Sequence, residues 1–270
     1  MENNTNKIRD AVRENYSKIA EANSTYTGCG CGPEVDTECC PPSTSTSFDK
    51  ISSKLGYSFE ELKNVPEGSN MGLGCGNPQA IAALKDGETV IDLGSGAGFD
   101  VFLAANQVGQ NGRVIGIDMT PTMISKARKN AIKGKYNNVE FRLGEIENIP
   151  VQDNIADVII SNCVINLSPE KQKVFNDSFR VLKSGGRLAI SDVIATAELP
   201  EEIKNDIALY AGCVSGASNL NEVEQMLKKA GFINIEIKPK DESSEFIREW
   251  SPGTSIHKYI ISASIEAIKP

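Results

Sequence analysis

The chain has 270 residues, 40% hydrophobic and 24% charged, the balance of a folded globular protein with room for one sizeable core and additions. Its net charge of −8 argues against a nucleic-acid partner, whose phosphates require a basic face. No run approaches the roughly 20 apolar residues that span a bilayer. The start, Met1-Glu-Asn-Asn-Thr-Asn, lacks the basic-then-apolar layout of a secretion signal, so no membrane partner and a cytoplasmic, thiol-reducing setting are expected.

Lys7 to Ala22 reads as an amphipathic helix with Ile8, Val12, Tyr16 and Ile19 on one stripe. Periodicity then stops from Asn23 to Ser47, a stretch holding Cys29, Cys31, Cys39, Cys40, Pro41-Pro42 and a Ser/Thr run, and a mobile loop is expected. A short helical stretch follows around Phe48 to Leu62. Val65 to Asn77, rich in glycine and containing Cys75, reads as an irregular approach to the core. Asn77-Pro78 is a helix start, with the helix running to about Leu84.

From Thr89 the rhythm is strand, helix, strand, helix. Thr89 to Leu93 is an apolar, β-branched strand, followed by Gly94-Ser95-Gly96-Ala97-Gly98 and a helix to about Val108. Gly112 to Ile117 is a second strand with Asp118 at its end, and Thr120-Pro121 opens a helix to about Lys133. Strands are expected at Asn138 to Leu143, Ala156 to Ser161 and Arg187 to Val193, with a helix from Ser168 to about Leu182 before the last. This alternation implies an α/β fold, a parallel sheet with helices on both faces. Ligands of such sheets bind beyond the carboxyl ends of the strands, where Asp92, Asp118, Gly144, Asn162 and Asp192 fall. Helices at Glu201 to Cys213 and Asn219 to Ala230 follow, the second with an Asn219/Glu222 capping box. Ile233 to Lys238 and Tyr259 to Ala267 alternate as strands suited to an antiparallel hairpin. Glu242 to Trp250 reads as a surface connection, and His257, the single histidine, as a surface or structural residue.

The dinucleotide fingerprint is not met, because its third glycine would fall at Phe99. The spacing is G-x-G-x-G with Asp92 before it, and Asp118 lies 20 residues after Gly98. An acidic residue there can accept hydrogen bonds from both hydroxyls of a ribose. A bound nucleoside explains strand, loop and distant carboxylate together; a bare turn explains only the first two. The stretch from about Asp86 to Val193 resembles the Rossmann-like core of class I S-adenosylmethionine-dependent methyltransferases. The resemblance implies S-adenosylmethionine as cofactor, bound by Asp92, Gly94, Ser95, Gly96, Gly98, Asp118 and Met119. It further implies adenine contacts from Gly144, Glu145 and Ile146, and a contact from Asn162 to the methionine part.

Seven cysteines in a reducing compartment, an odd number, point to metal, metalloid or redox chemistry rather than a static disulfide framework. Cys75, Cys163 and Cys213 are too far apart for a local zinc knuckle. Their contexts, Gly72-Leu-Gly-Cys-Gly-Asn-Pro78, Ser161-Asn-Cys-Val-Ile-Asn-Leu167 and Ala211-Gly-Cys-Val-Ser-Gly-Ala217, are similar to the arsenite methyltransferase family, and the match covers about Val65 to Ala230. That resemblance implies trivalent arsenic bound at Cys75, Cys163 and Cys213, with arsenite or its thiol conjugates as substrate. It also implies a further N-terminal cysteine in a disulfide-forming step, for which Cys29, Cys31, Cys39 and Cys40 are all available and the Cys39/Cys40 pair is favoured. Thioredoxin or glutathione would then regenerate the thiols. Soft thiolates suit arsenic, and its lone pair carries no proton, so a chain with one histidine needs no general base. The organisation expected is an N-terminal helix and cysteine segment (1–64), a cofactor core (65–195) and an arsenite-binding part that completes the sheet (196–270). Two alternatives stand beside it. One is methylation of another small molecule such as a quinone or lipid precursor. The other is a zinc or metal-sensing role for the irregular C-x-C-x7-C-C cluster.

Overall fold

A computed structural model describes residues 2–22, 45–204, 206–250 and 255–270. Helix α1 (Glu2–Ala22) buries Val12 and Ala20, with Ile8, Tyr16 and Ile19 partly covered, so the apolar stripe docks as its spacing requires. The expected single helix near Phe48 to Leu62 is two, α2 (Ser45–Lys54) and α3 (Phe59–Lys63). Gly56 at φ +96° breaks the first, and a reciprocal Ser58–Glu61 capping box starts the second. Helix α4 (Gln79–Ala82) stops at Ala83, which turns left-handed, short of the expected Leu84.

The Rossmann-like alternation then follows: β1 (Thr89–Leu93), α5 (Phe99–Val108), β2 (Arg113–Asp118), α6 (Pro121–Gly134), β3 (Val139–Leu143), β4 (Ala156–Asn162), α7 (Lys171–Val181) and β5 (Leu182–Ala195). Strand β5 begins five residues before the expected Arg187. A bulge lets Ala156 pair with Leu182 while Val158 pairs with Arg187, which absorbs the Lys183-Ser-Gly-Gly turn into the strand. The expected helix over Glu201 to Cys213 is also two, α8 (Glu201–Lys204) and α9 (Ile207–Ala211). Asp206 restarts it as an N-cap, accepting from Ala208 N at 2.8 Å and Leu209 N at 3.0 Å. Helix α10 (Leu220–Ala230) carries the Asn219/Glu222 capping box.

Strand β6 (Ile233–Lys240), helix α11 (Ser243–Trp250) and strand β7 (Ile260–Ile268) end the chain. Helix α11 corrects the expected surface connection: Ser243 and Ile247 are buried, and Ser243 Oγ accepts from Ser262 N at 2.9 Å. His257 lies in a 3-10 turn before β7. The sheet order is β3-β2-β1-β4-β5-β7-β6, with β7 antiparallel to both β5 and β6. Alternate residues face opposite layers. Ile91, Ile115 and Ile159 pack with Phe175 of α7 and Leu227 of α10, whereas Val90, Val114 and Val158 pack with Phe102 of α5 and Ala127 of α6. With β1 and β4 covered on both faces, their carboxyl ends are the exit toward a ligand. Among the described residues, no helix is long and apolar enough to cross a membrane.

Candidate active site

Past Leu93 the chain turns through Gly94, Gly96 and Gly98, at φ +71°, +51° and +96°, a left-handed conformation in which a Cβ is strained. A Cβ on Gly94 would stand 2.3 Å from Val164, while one on Gly96 would meet nothing within 4 Å. The loop is tied to β2 by Gly94 N and Ser95 N, which donate to Ile117 O at 2.8 and 2.9 Å. Asp118 clasps it from the other side: Oδ2 accepts from Gly96 N at 2.9 Å and Oδ1 from Thr120 N at 2.8 Å. Burial raises the Asp118 pKa, and these two amides oppose the shift.

A cavity opens at this edge of the sheet. Of the residues expected at the cofactor, Asp92, Gly94, Ser95, Gly96, Asp118, Met119, Ile146 and Asn162 line it. Gly98, Gly144 and Glu145 do not. Gly98 allows close packing on Phe102 and Phe141; Gly144 packs against Pro150 and donates to Asp118 O at 3.0 Å. Glu145 turns outward to Arg9 and Arg13 at 3.6 and 3.4 Å.

The cavity gathers negative charge in a dry place. Asp92 and Asp100 are both buried. Burial first, then repulsion from Asp100 and Asp118, raises Asp92 well above the carboxylate range. Asp100 is pushed up to about 6 by burial, against hydrogen bonds from Tyr57 at 2.8 Å and Asn162 at 3.3 Å. Asn162 is a junction. Its amide also donates to Gly76 O at 2.9 Å and Tyr57 Oη at 3.0 Å, while its Oδ1 accepts from Cys75 N at 3.0 Å. One side chain therefore joins the cavity to the segment that carries Cys75.

The sequence reading missed the roof and part of the floor. Arg9, Val12 and Tyr16 of α1 line the cavity, as do Tyr57, Asp100 and Met123. Val12 and Tyr16 stood on the stripe already noted, and Asp100 lies two residues past Gly98, so a signal existed for these three. Arg9 latches the roof: Nη2 meets Glu147 at 2.9 Å and Glu170 at 2.8 Å.

Beside the cavity, three cysteines from distant parts of the chain converge. Cys75 precedes α4, Cys163 follows β4, and Cys213 follows α9; all are buried and free. The Cys75 and Cys163 sulfurs and an Asp192 carboxylate oxygen lie within 4.8 Å of one another. The Cys213 thiol donates to Cys163 O at 2.9 Å, and the Cys75 thiol to Ser191 O at 3.6 Å. Cys163 is thus the centre of the cluster, and it alone of the three lines the cavity. The neighbouring Cys213 and Cys75 thiols, then burial, raise the Cys163 pKa well above the thiol range; burial raises Cys75. Cys75 and Cys163 therefore rest protonated. Asp192 accepts from Ile165 N at 2.8 Å, Val193 N at 2.8 Å and Asn166 Nδ2 at 3.0 Å, and burial pushes it up to about 6 despite them. Cys29, Cys31, Cys39 and Cys40 lie outside the described residues.

A family model described as a methyltransferase domain matches residues 84–231. The arsenite methyltransferase of Halobacterium salinarum is 52% identical over 265 residues, covering 98% of this chain and 67% of that protein. The arsenite methyltransferase of Aquipseudomonas alcaligenes is 42% identical, covering 83% of this chain and 62% of its own length, so the chain spans about two thirds of these relatives. Among solved structures, the arsenic(III) S-adenosylmethionine methyltransferase of Chlamydomonas reinhardtii superposes with a TM-score of 0.61 at 30% identity, covering 86% of this chain and 75% of that one. With a glycine loop and acidic clasp on one side of the edge and three converging thiols on the other, this chain belongs to the arsenite methyltransferase family, built on the methyltransferase domain.

Proposed function

We propose that the protein transfers a methyl group from S-adenosylmethionine to trivalent arsenic held by Cys75, Cys163 and Cys213. The observation that carries this reading is the meeting of the Cys75 and Cys163 sulfurs and Asp192 within 4.8 Å, with the Cys213 thiol on the Cys163 carbonyl, beside a cavity clasped by Asp118 and the Gly94–Gly98 loop. Residues 65–195 would supply the cofactor core, 196–270 the third thiol and the sheet's last strands, and 1–64 the roof and the redox segment.

The cavity suits the cofactor. Gly96 leaves open space beside the loop, and Asp118, in the cavity lining, would accept from a ribose. Met119, Met123 and Ile146 offer apolar surface to a base. Asp92, Asp100 and Asp118, whose ionisation burial opposes, favour a cation among them. When bound, S-adenosylmethionine supplies a methyl carbon made electrophilic by its sulfonium.

The thiol side would work as follows. Arsenite, As(OH)3, exchanges its three hydroxides for three sulfurs, each hydroxide leaving as water with the proton its thiol gives up. The raised thiol pKa values are then no obstacle, because proton and hydroxide leave together. Arsenic keeps a lone pair for the methyl carbon, and no base is required. The residues contribute position and dryness: Asn162 holds the Cys75 segment to the cavity, and α1 keeps water out. Forming the As–C bond raises arsenic formally by two electrons. Two cysteine sulfurs returning those electrons would join as a disulfide, with Cys39 or Cys40 as the expected partner, and thioredoxin or glutathione would reduce it in the cytoplasm.

The test is direct. Purified protein with labelled cofactor, a thiol and arsenite should yield methylated arsenic, and Cys163→Ser should abolish the product while cofactor affinity stays within about twofold. Full activity of Cys163→Ser, or turnover of an organic acceptor with none of arsenite, would sink the reading.

A further inference from the structure

Strand β5 carries a buried carboxylate that this chemistry does not yet use. Asp192 is 2% exposed, and a charge so buried is costly unless donors meet it. Here they do: Ile165 N donates to Oδ2 at 2.8 Å, and Val193 N and Asn166 Nδ2 donate to Oδ1 at 2.8 and 3.0 Å. Two of these are backbone amides, one from the turn after β4 and one from β5 itself, so the carboxylate is held by rigid elements. A carboxylate has about four acceptor sites, and three are taken. One of its oxygens also stands within 4.8 Å of both the Cys75 and the Cys163 sulfur. Cys163 lines the cofactor cavity, whereas Cys75 and Asp192 do not. The carboxylate therefore lies behind the thiols as they are approached from the cavity.

We infer that Asp192 stabilises the positive charge that arsenic takes on as it accepts the methyl group, from the side of the thiols away from the cofactor. This rests on the arsenite reading of the site. Arsenic bonded to three cysteine sulfurs is neutral, and one joined to Cys75 and Cys163 is brought beside the carboxylate. In the transfer the arsenic lone pair forms the As–C bond. The C–S bond of the sulfonium breaks, and its electron pair returns to that sulfur, which is left neutral. Arsenic now has four bonds and carries the positive charge that the sulfonium has lost. The charge has moved out of the cavity and toward Asp192. A carboxylate gains little from the neutral ground state and much from the charge developing in the transition state, where no water screens it. Its three donors are already in place, so nothing has to reorganise as that charge forms. The effect therefore falls on the rate of transfer and not on the binding of arsenite.

Asp192→Asn removes the charge and nearly keeps the shape. The full chain is loaded with arsenite and mixed with saturating labelled S-adenosylmethionine, and the rate of a single methyl transfer is read. The measurement is made at about pH 8, above the value of about 6 to which burial pushes Asp192. Arsenite affinity is read from the ultraviolet absorbance of arsenic–thiolate bonds without cofactor, and cofactor affinity by calorimetry without arsenite. The rate should fall by about a hundredfold or more, with arsenite affinity within about threefold and cofactor affinity within about twofold. Asp192→Ser, a second neutral replacement, should behave alike. Asn166→Ala loosens the same turn but keeps the carboxylate, and its rate should stay within about tenfold of the natural chain, which a merely structural role for Asp192 would not produce. A full rate in either neutral variant, an arsenite affinity that falls as far as the rate, an equal loss in Asn166→Ala, or failure of both neutral variants to fold would overturn the inference. A natural chain that methylates no arsenite would sink the arsenite reading first; one that does, beside an Asp192→Asn chain at full rate, would sink this inference alone.

Discussion

Arg9→Met isolates the latch that holds α1 over the cavity. The Arg9 side chain is 14% exposed and meets Glu147, 8% exposed, at 2.9 Å and Glu170, 31% exposed, at 2.8 Å. Methionine keeps much of the apolar stem but leaves Glu147 with the Ser168 hydroxyl, at 2.7 Å, as its remaining close partner. A hydrogen bond to a charged group nets about 1.5–3 kcal/mol. The more exposed Glu170 bond is discounted for solvent, and the 3.6 Å Glu145 pair adds little, which gives about 2–3 kcal/mol for the latch. That is a roughly 30- to 150-fold shift toward an undocked α1. Val12 and Ala20 remain buried beneath it, so the helix loosens without the sheet unfolding. Amide hydrogen exchange is the assay. Residues 8–22 should exchange at least about 30-fold faster, β1, β4 and β5 should be unchanged, and cofactor affinity should fall. Exchange that rises equally in the sheet, or does not rise in α1, would refute the latch.

Gly94→Ala places a Cβ 2.3 Å from Val164 in a left-handed backbone, so the loop must shift. Cofactor affinity should drop by about tenfold or more and the melting temperature should fall by several degrees; calorimetry that found affinity intact would contradict the cradle. Asp100 and Asp192 are both pushed up to about 6 from 3.8, so the fold favours their protonated forms. Their stabilising contribution is therefore present below about pH 4 and lost as pH rises through about 6. Between pH 5 and 7.5 each should cost the unliganded chain about 1 kcal/mol. Urea midpoints should accordingly be lower at pH 7.5 than at pH 5, and the slope should be shallower in Asp100→Asn; a midpoint that climbs with pH would show the sign to be wrong.

The sheet was legible because its signals are local. Thr89, Val90 and Ile91 open β1 with a β-branched run, and Asn219 with Glu222 forms a capping box within four residues. Helix restarts were harder, because the apolar periodicity runs across Gly56 and Asp206 as though each helix continued. The thiols were legible one by one, but their meeting depends on three separate crossings of the sheet edge. The latch of the roof was not legible: Arg9 and Glu147 stand 138 residues apart, and no local pattern joins them. Glu145 and Ile146 mark the remaining limit, since which of two adjacent residues faces a cavity depends on how the chain leaves β3, and here it is Ile146.

The backbone at the thiols is evidence of another kind. Among the described residues, six other than glycine have positive φ: Ala83, Lys135, Asn154, Cys163, Cys213 and Asn234. Ala83 and Lys135 end helices, and asparagine tolerates this region. Cysteine has no such excuse, and each costs about 1–2 kcal/mol relative to an unstrained backbone. Both are nonetheless firmly held, Cys163 N donating to Ser191 O at 2.8 Å and Cys213 N to Tyr210 O at 3.0 Å. Glycine would make the same two turns without the strain, so turning the chain does not explain a side chain at either place. What glycine could not supply is sulfur, and the two strained residues are hydrogen-bonded to each other. Strain retained at two touching cysteines is what a binding site produces and a hydrophobic core does not. It argues for a soft acceptor at this edge independently of the glycine loop and of family membership.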